Sequence, residues 1–323
     1  PQKVMNSLGA DILRLWIAST DFTKEMTVGD EILNRTADTY RRIRNTARFM
    51  LANLNGFDPS TDQVSMQDLV SLDAEMVRRT EVLGAKIMAH YAAYEFSEVT
   101  QALHHFCVDD LGGFYLDIIK DRQYTLKADS HARRSAQTAL YWMTEAFVRW
   151  MSPILSFTAQ EIWESMPGTR PHPYVFAVTA MELPQAEGRA QVDWALIQRV
   201  KVAVNQAIEL ARNAGVVKGS LSADVTLYCD PTMAAELTKL GDELRFGTIT
   251  SEAHLATHDA RPAEAVEDPD CPGLWVMVTA TEAAKCERCW HHRADVGSHA
   301  AHPELCGRCL DNVEGAGEQR TYA

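Results

Sequence analysis

Two cysteine pairs near the end of the sequence constrain the fold more than any other feature. The pairs are Cys286-x2-Cys289 and Cys306-x2-Cys309, separated by sixteen residues. Each C-x-x-C turn directs two thiolates at one point, and two such turns supply the four sulfur ligands that zinc prefers in a tetrahedral site. The segment 285–313 has few apolar side chains, so a bound metal would contribute most of its folding free energy, on the order of 10 kcal/mol. The spacing therefore predicts one zinc ion held by these cysteines.

The same segment leaves other interpretations open. A disulfide cluster is the less favoured use of the cysteines, and a histidine could replace one of them as a ligand, although four well-spaced thiolates disfavour this. The histidines concerned are His291, His292, His299 and His302. Trp290 lies beside several cations, Arg288 among them, and an exposed tryptophan in such a setting can stack on a nucleic-acid base. Packing over the zinc site is an equally good interpretation of Trp290.

The overall composition is that of a globular protein with more than one domain. The chain has 323 residues, of which 46% are hydrophobic and 23% charged, and this length allows two or three domains. No apolar run approaches the roughly 20 residues that cross a bilayer. The net charge of −13 argues against non-specific binding of nucleic acid. Cysteines scattered outside the zinc motif fit a reducing cytoplasm, and the start at Pro1, without a signal pattern, leads us to expect a piece of a longer protein.

The sharpest local charge lies on a long helix predicted over 31–53. Residues 31–50 carry five arginines and only two acids. Arg41, Arg44 and Arg48 are spaced at i, i+3 and i+7, so they share one helix face. Planar guanidinium groups bind phosphates and can stack on unpaired bases. The residues alone leave this interpretation and a solvated face, paired with acids of a neighbouring helix, equally good.

Helical periodicity dominates up to about residue 170 and predicts a bundle of four or five helices with an aromatic core. One helix is expected to begin at the capping box Thr158-x-x-Glu161. Polar residues from Gly315 onward predict a mobile tail. Between these regions the pattern predicts a mixture of helix and strand. The segments are a helix over 194–213, a helix near 233–243, and strands over 175–178, 225–229, 244–249 and 275–279.

A second group of cations flanks a predicted turn of the bundle between Lys120 and Arg134. Asp117 and Asp121 interrupt it, and internal salt bridges are the favoured interpretation. The sequence contains no nucleophile elbow, glycine-rich phosphate loop or H-E-x-x-H pattern. The residues therefore indicate a binding module and not an active site.

Taken in order, these segments resemble the C-terminal portion of bacterial isoleucyl-tRNA synthetases over nearly the whole chain. The stretches that carry the resemblance are Gly9-Ala10-Asp11-Ile12-Leu13-Arg14-Leu15-Trp16, Arg41-Arg42-Ile43-Arg44-Asn45-Thr46-Ala47-Arg48-Phe49, Phe114-Tyr115-Leu116-Asp117, Arg133-Arg134-Ser135-Ala136-Gln137-Thr138, and Lys285-Cys286-x-Arg288-Cys289-Trp290 with Leu305-Cys306-Gly307-Arg308-Cys309. The first is similar to the segment that follows the KMSKS loop of this class I family, and the second to the first helix of its anticodon domain. The last pair is similar to its C-terminal zinc finger. The loop from Val216 to Leu221 fits the family pattern only in part.

The resemblance implies a mainly α fold, in which the helical-bundle anticodon-binding domain of class I synthetases precedes a small α+β domain and a C-terminal four-cysteine zinc finger. The implied segments are a connector after the catalytic domain over 1–26, the bundle over 27–190, the α+β junction domain over 191–282, the finger over 283–314 and a tail over 315–323. The parent enzyme serves protein biosynthesis by joining isoleucine to its tRNA with ATP and Mg²⁺. The catalytic and editing sequences are not in this chain, so we expect an inactive fragment without ATP, isoleucine or proofreading sites.

The implied role is recognition of the anticodon stem-loop of the isoleucine tRNA by a cytoplasmic monomer without a membrane partner. The candidates for RNA contact are Arg41, Arg44 and Arg48 for the backbone, and Arg288 with Trp290 for the loop.

Two alternatives from other classes stay open. Similar fingers occur in DNA glycosylases of the formamidopyrimidine type, where they bind duplex DNA, but the Pro-Glu start of those enzymes is Pro1-Gln2 here. A structural zinc domain that binds another protein is the second alternative.

Overall fold

The structure is a computed structural model and describes residues 1–185 and 192–323. These residues form two compact units. The first comprises Pro1–Leu69, Asp73–Asp117 and 134–185, and the second comprises Val70–Leu72, Ile118–Arg133 and 192–323. The predicted boundary at 190/191 lies outside the described residues. The division into five segments stays a prediction.

The chain is mainly helical, as predicted. Its α-helices are α1 (Gln2–Leu8), α2 (Ala10–Ser19), α3 (Asp30–Asn53), α4 (Ser71–Ala92), α5 (Phe96–His105), α6 (Leu116–Ile118), α7 (Lys120–Thr125), α8 (His131–Met151), α9 (Ser156–Ser165), α10 (Trp194–Asn213), α11 (Pro231–Thr238), α12 (Leu244–Thr248) and α13 (Gly307–Glu314). A π-helix, Phe106–Tyr115, joins α5 to α6. The core of the first unit contains fully buried aromatic side chains, among them Phe106, Phe114, Phe147 and Trp163. Among the described residues, no helix is long and apolar enough to cross a membrane.

Helix α9 does not begin at the predicted capping box. Its first residue is Ser156, so Thr158 lies inside the helix. The N-cap residue, Leu155, has no side-chain oxygen, and a neighbouring helix supplies the cap instead. The Asp11 carboxylate of α2 accepts hydrogen bonds from the backbone N–H groups of Phe157 and Thr158 at 3.3 and 2.8 Å. The expected capping residue Glu161 is therefore free to pair elsewhere.

The second unit contains a four-stranded sheet in the order β2-β1-β4-β3. The strands are β1 (Ala223–Cys229), β2 (Glu252–Thr257), β3 (Val266–Glu267) and β4 (Leu274–Ala280). Strand β1 pairs in parallel with β2 and antiparallel with β4. Helix α10 contacts β4 and buries Ile197, Val200, Val204 and Ile208 along one face. The predicted α+β part is confirmed.

Two strand predictions are wrong, and one strand was not predicted. The segment 244–249 is not a strand, because Leu244–Thr248 forms helix α12 and Ile249 ends it in a left-handed conformation at φ 57°. A short apolar run fits both helix and strand, and periodicity alone does not decide between them. The segment 175–178 is not a strand either, because Val175–Ala177 forms a 3-10 turn. Strand β2 escaped prediction because its sequence, Glu-Ala-His-Leu-Ala-Thr, lacks a regular apolar alternation.

The segment from Gly315 onward is not a mobile tail in this structure. Arg320 and Ala323 are buried. The Glu243 carboxylate accepts hydrogen bonds from the backbone N–H groups of Thr321, Tyr322 and Ala323 at 2.9, 2.8 and 2.7 Å. The carbonyls of Thr321 and Tyr322 accept from the first two backbone N–H groups of α4 at 3.0 and 2.9 Å, donors that a helix otherwise leaves unpaired. The polar composition of residues 315–323 gives no indication of these contacts.

Candidate zinc centre and nucleic-acid interface

The two cysteine turns converge on one point in the second unit. The sulfur atoms of Cys286, Cys289, Cys306 and Cys309 all lie within 4.8 Å of one another, and all four residues are buried. The sulfurs of Cys289 and Cys306 are 3.8 Å apart. Zn–S bonds of about 2.3 Å in a regular tetrahedron place sulfur atoms about 3.8 Å apart. The residues present therefore fit a tetrahedral zinc ion.

Local hydrogen bonds shape these turns and join the thiols to one another. The Trp290 N–H donates to the Cys286 carbonyl, and the Cys286 N–H donates to the His291 carbonyl, both at 2.9 Å. Hydrogen bonds from the thiols of Cys306 and Cys309 hold the pKa of Cys289 far below its ordinary value. The same hydrogen bond to Cys289 raises the pKa of Cys306 to about 11. The hydrogen bonds to Cys289 and Cys306 also raise the pKa of Cys309. A zinc ligand must be a thiolate, so metal binding would have to displace the protons of Cys306 and Cys309.

The buried histidine next to this cluster has other partners. The His291 side chain lies 3.5 Å from Arg245 Nη1 and packs edge-on against Phe246, with ring centroids 5.6 Å apart. His292 Nδ1 lies 2.7 Å from the Ala283 carbonyl oxygen. Within 1–185 and 192–323, the four-cysteine set is the one group of three or more metal-ligating side chains that meets at a point.

The finger contacts helix α7 through both of its turns. Arg288, in the first turn, donates a hydrogen bond to the Thr125 carbonyl. Arg308, in the second turn, donates two hydrogen bonds to the Asp121 carboxylate at 2.6 and 2.8 Å. Burial alone would raise the pKa of Asp121, but the guanidinium groups of Arg308 and Arg320 hold it well below its usual range. Asp121 is thus part of an internal salt bridge, and its partners come from the finger and the segment after it.

Trp290 does not pack over the cysteine cluster. Its side chain is 60% exposed, and the buried cluster consists of the cysteines and Leu305, with Val296 packed against it. The Lys285 ammonium lies 5.3 Å from the centroid of the Trp290 rings. Trp290 has φ 66°, a left-handed conformation that is rare for a bulky residue and often marks a functional position. The ring is therefore available to a ligand, and its contact with RNA stays a prediction.

The arginine face of α3 lies in the first unit, and its members differ in their contacts. Arg41 pairs with Asp38 at 2.6 Å. Arg44 donates two hydrogen bonds to Glu161 of α9 at 2.6 and 2.7 Å, and these bonds raise the pKa of Arg44. Arg48 is exposed and lines a groove of about 380 Å³ between α3 and α9. It has no ion pair or hydrogen bond among the residues that the structure describes.

Two functional features were not predicted from the sequence: a further arginine on α3 that is unpaired among the described residues, and a salt bridge between distant segments. Arg42 lies off the face that Arg41, Arg44 and Arg48 share, yet it is exposed and has no ion pair or hydrogen bond within the described ranges. The excess of arginines over acids in residues 31–50 already indicated that one or more of these arginines would lack an acidic partner. The contact of Asp121 with Arg308 spans 187 positions of the sequence, and no local pattern indicates it.

Two family models match the chain. Residues 73–227 match the model described as "Anticodon-binding domain of tRNA ligase", and residues 284–312 match the one described as "Zinc finger found in FPG and IleRS". The second description alone covers both a glycosylase and a synthetase. The first match favours the synthetase, so the DNA-glycosylase alternative is not favoured.

Curated relatives match the chain along its whole length. Isoleucine–tRNA ligases of Pseudoalteromonas translucida, Chromohalobacter salexigens and Pseudomonas aeruginosa are 56%, 57% and 53% identical to it over 326, 328 and 326 residues. Each alignment covers 100% of this chain and 34%, 35% and 34% of the respective relative. The chain thus spans about a third of the length of these relatives. The chain is thus similar over its whole length to isoleucine–tRNA ligases, and it matches the models of an anticodon-binding domain and of a zinc finger found in FPG and IleRS.

Proposed function

We propose that this chain is the tRNA-recognition part of an isoleucine–tRNA ligase and binds the anticodon stem-loop of the isoleucine tRNA. The parent protein would attach isoleucine to that tRNA with ATP and Mg²⁺ in domains outside this chain. We place it in the cytoplasm as a monomer with one zinc per chain. The observation that carries the proposal is the presence of an anticodon-binding domain and the synthetase-type finger in one chain.

Recognition of the tRNA has two parts: contacts to the backbone position the RNA, and contacts to the bases read its sequence. Arg48, with Arg41 and Arg44 on the same face, would bind backbone phosphates, which position RNA without reading its sequence. Trp290 would stack on a splayed loop base, and Arg288 would lie beside it. Zinc, held by the four cysteines, would stabilise the fold of the finger that presents these two side chains. The net charge of −13 disfavours loose binding of RNA elsewhere on the chain.

The ion pairs on α3 indicate how available each of the three arginines is to an RNA phosphate. Arg48 has no competing partner in the described residues, whereas a phosphate would have to replace or share Glu161 at Arg44. A surface pair of this kind stabilises a protein by about 0–1 kcal/mol, so phosphate can displace it at small cost. We therefore propose Arg48 as the principal backbone contact and Arg44 as a secondary one.

Replacement of Arg48 by alanine is expected to reduce the slope of log affinity for tRNA against log salt by about one unit. Because the side chain is exposed, the free energy of unfolding should change by less than about 0.5 kcal/mol. Titrations at several salt concentrations measure the slope, and urea unfolding measures the stability.

The matched control is Arg212→Ala, at the exposed end of α10, which should leave the slope unchanged. Equal slopes for wild type and Arg48→Ala would remove Arg48 from the interface.

The proposed function itself is tested by competition. Labelled isoleucine tRNA is bound to the 323-residue chain and challenged with unlabelled tRNA, duplex DNA and an unrelated RNA. We expect only the tRNA to compete efficiently. Efficient competition by duplex DNA would favour a glycosylase-like role, and no binding of any nucleic acid would favour a protein-interaction domain.

A further inference from the structure

Helix α7 holds both cysteine turns through two residues that lie one helical turn apart. Asp121 accepts two hydrogen bonds from Arg308, and the carbonyl of Thr125 accepts one from Arg288. Arg308 directly precedes Cys309, and Arg288 directly precedes Cys289. Each turn of the finger is therefore tied to α7 at the residue next to a cysteine.

Asp121 is the centre of a nearly buried charge cluster. Its carboxylate also accepts a hydrogen bond from Arg320 Nη2 at 2.7 Å, and His291 Nε2 lies 3.7 Å away. The side chains of Asp121, Arg308 and Arg320 are only 12%, 14% and 3% exposed. Glu318 forms ion pairs with both arginines. Removing the single carboxylate of Asp121 would leave two buried guanidinium groups short of an acceptor, which is strongly unfavourable.

The hydrogen bonds to α7 orient the finger more than apolar packing does. The finger buries little apolar surface beyond Leu305 and the cysteines. Arg308 also lies over the Phe246 ring, 5.1 Å from its centroid. Further links lie beside the first turn, where the His292 N–H donates to Ser251 Oγ at 2.7 Å. The Arg293 guanidinium donates to the Glu252 carboxylate at 2.5 Å. A bidentate guanidinium–carboxylate pair adds directional specificity, and the pair with Asp121 supplies it to the second turn.

The direction of Trp290 depends on this docking. Its backbone is fixed within the finger, because its N–H is bonded to the Cys286 carbonyl at 2.9 Å and its φ is 66°. A change in how the finger sits on α7 would therefore move the exposed ring as part of the finger. We propose that Asp121 is a positioning residue for RNA recognition, which orients the zinc finger through Arg308 so that Trp290 meets its base. This inference rests on the proposed function.

A double-mutant cycle in the 323-residue chain tests the inference. In the wild-type background, Trp290→Ala should weaken tRNA binding by about 5- to 150-fold. In the Asp121→Asn background, which keeps the shape of the side chain but removes its charge, the same change should weaken binding by about 2-fold or less. The control Asp129→Asn removes an exposed carboxylate just beyond α7 and should leave the full effect of Trp290→Ala. Equal factors in the Asp121→Asn and wild-type backgrounds would overturn the proposal.

Hydrogen exchange supplies a readout that does not need RNA. Asp121→Asn should speed amide exchange in residues 284–312 while the zinc content stays at that of the wild type, and unchanged exchange would overturn the proposal even if the wild type bound no tRNA. Absence of tRNA binding by the wild type would by itself contradict the proposed function. If Asp121→Asn loses its zinc or its fold, Arg308→Lys takes its place in both measurements, because lysine keeps the charge but not the bidentate geometry. The expected and contradicting results are then the same.

Discussion

Cys289→Ser is expected to release the metal and unfold residues 284–312, while the helices of the first unit stay folded. A serine hydroxyl does not ionise near neutral pH, so the site loses one of its four anionic ligands. The segment buries little apart from the cysteines and Leu305, and metal binding on the order of 10 kcal/mol is most of what folds it. Metal analysis should fall from one equivalent to near zero, and hydrogen exchange should show loss of protection confined to the second unit.

The matched control for this variant is Cys107→Ser, the same substitution at a buried thiol of the π-helix in the first unit. It should lower the free energy of unfolding but keep a full equivalent of zinc. Retention of zinc by Cys289→Ser would show that the four thiols do not act as one ligand set. Collapse of the helical unit would show that the finger is not an independent folding element.

Trp290→Ala is expected to weaken binding of isoleucine tRNA by about 1–3 kcal/mol, the range for loss of one stacked base. The slope of affinity against salt should stay unchanged, because no phosphate contact is lost. Stability should barely move, since the side chain is 60% exposed. Binding titrations at two salt concentrations and thermal unfolding measure the three quantities.

Tyr174→Ala serves as the control, because Tyr174 is an equally exposed aromatic residue in the first unit, at 60%. It should leave affinity for tRNA within about 2-fold of the wild type. If Trp290→Ala lowers affinity equally for isoleucine tRNA and for a tRNA with another anticodon loop, Trp290 does not read the loop.

The features that could be predicted from the sequence are those encoded by short, regular spacing. Four thiols at two C-x-x-C turns meet in space because each turn is a local structure. Helix α10 has the predicted bounds because its apolar residues follow a helical period over 20 residues. Over the few residues of α12, helix and strand patterns coincide, and tertiary packing decided between them.

The contacts that assign roles to individual residues could not be predicted. Spacing placed Arg41, Arg44 and Arg48 on one face, but only the fold shows that Glu161 pairs with Arg44 from another helix. The anchor of the finger is Asp121, whose partner Arg308 lies 187 positions away. Such ion pairs depend on how distant segments pack together, and no local sequence pattern indicates that packing.

Recognition of the anticodon loop is tested most directly by two tRNAs that differ only in that loop. The zinc-loaded chain is titrated with isoleucine tRNA and with the same tRNA carrying the anticodon loop of another. We predict that the exchange weakens binding at least about tenfold, a difference of about 1.4 kcal/mol. The salt slope should be equal for the two, because their phosphates are the same. Equal affinities for the two tRNAs would contradict the claim.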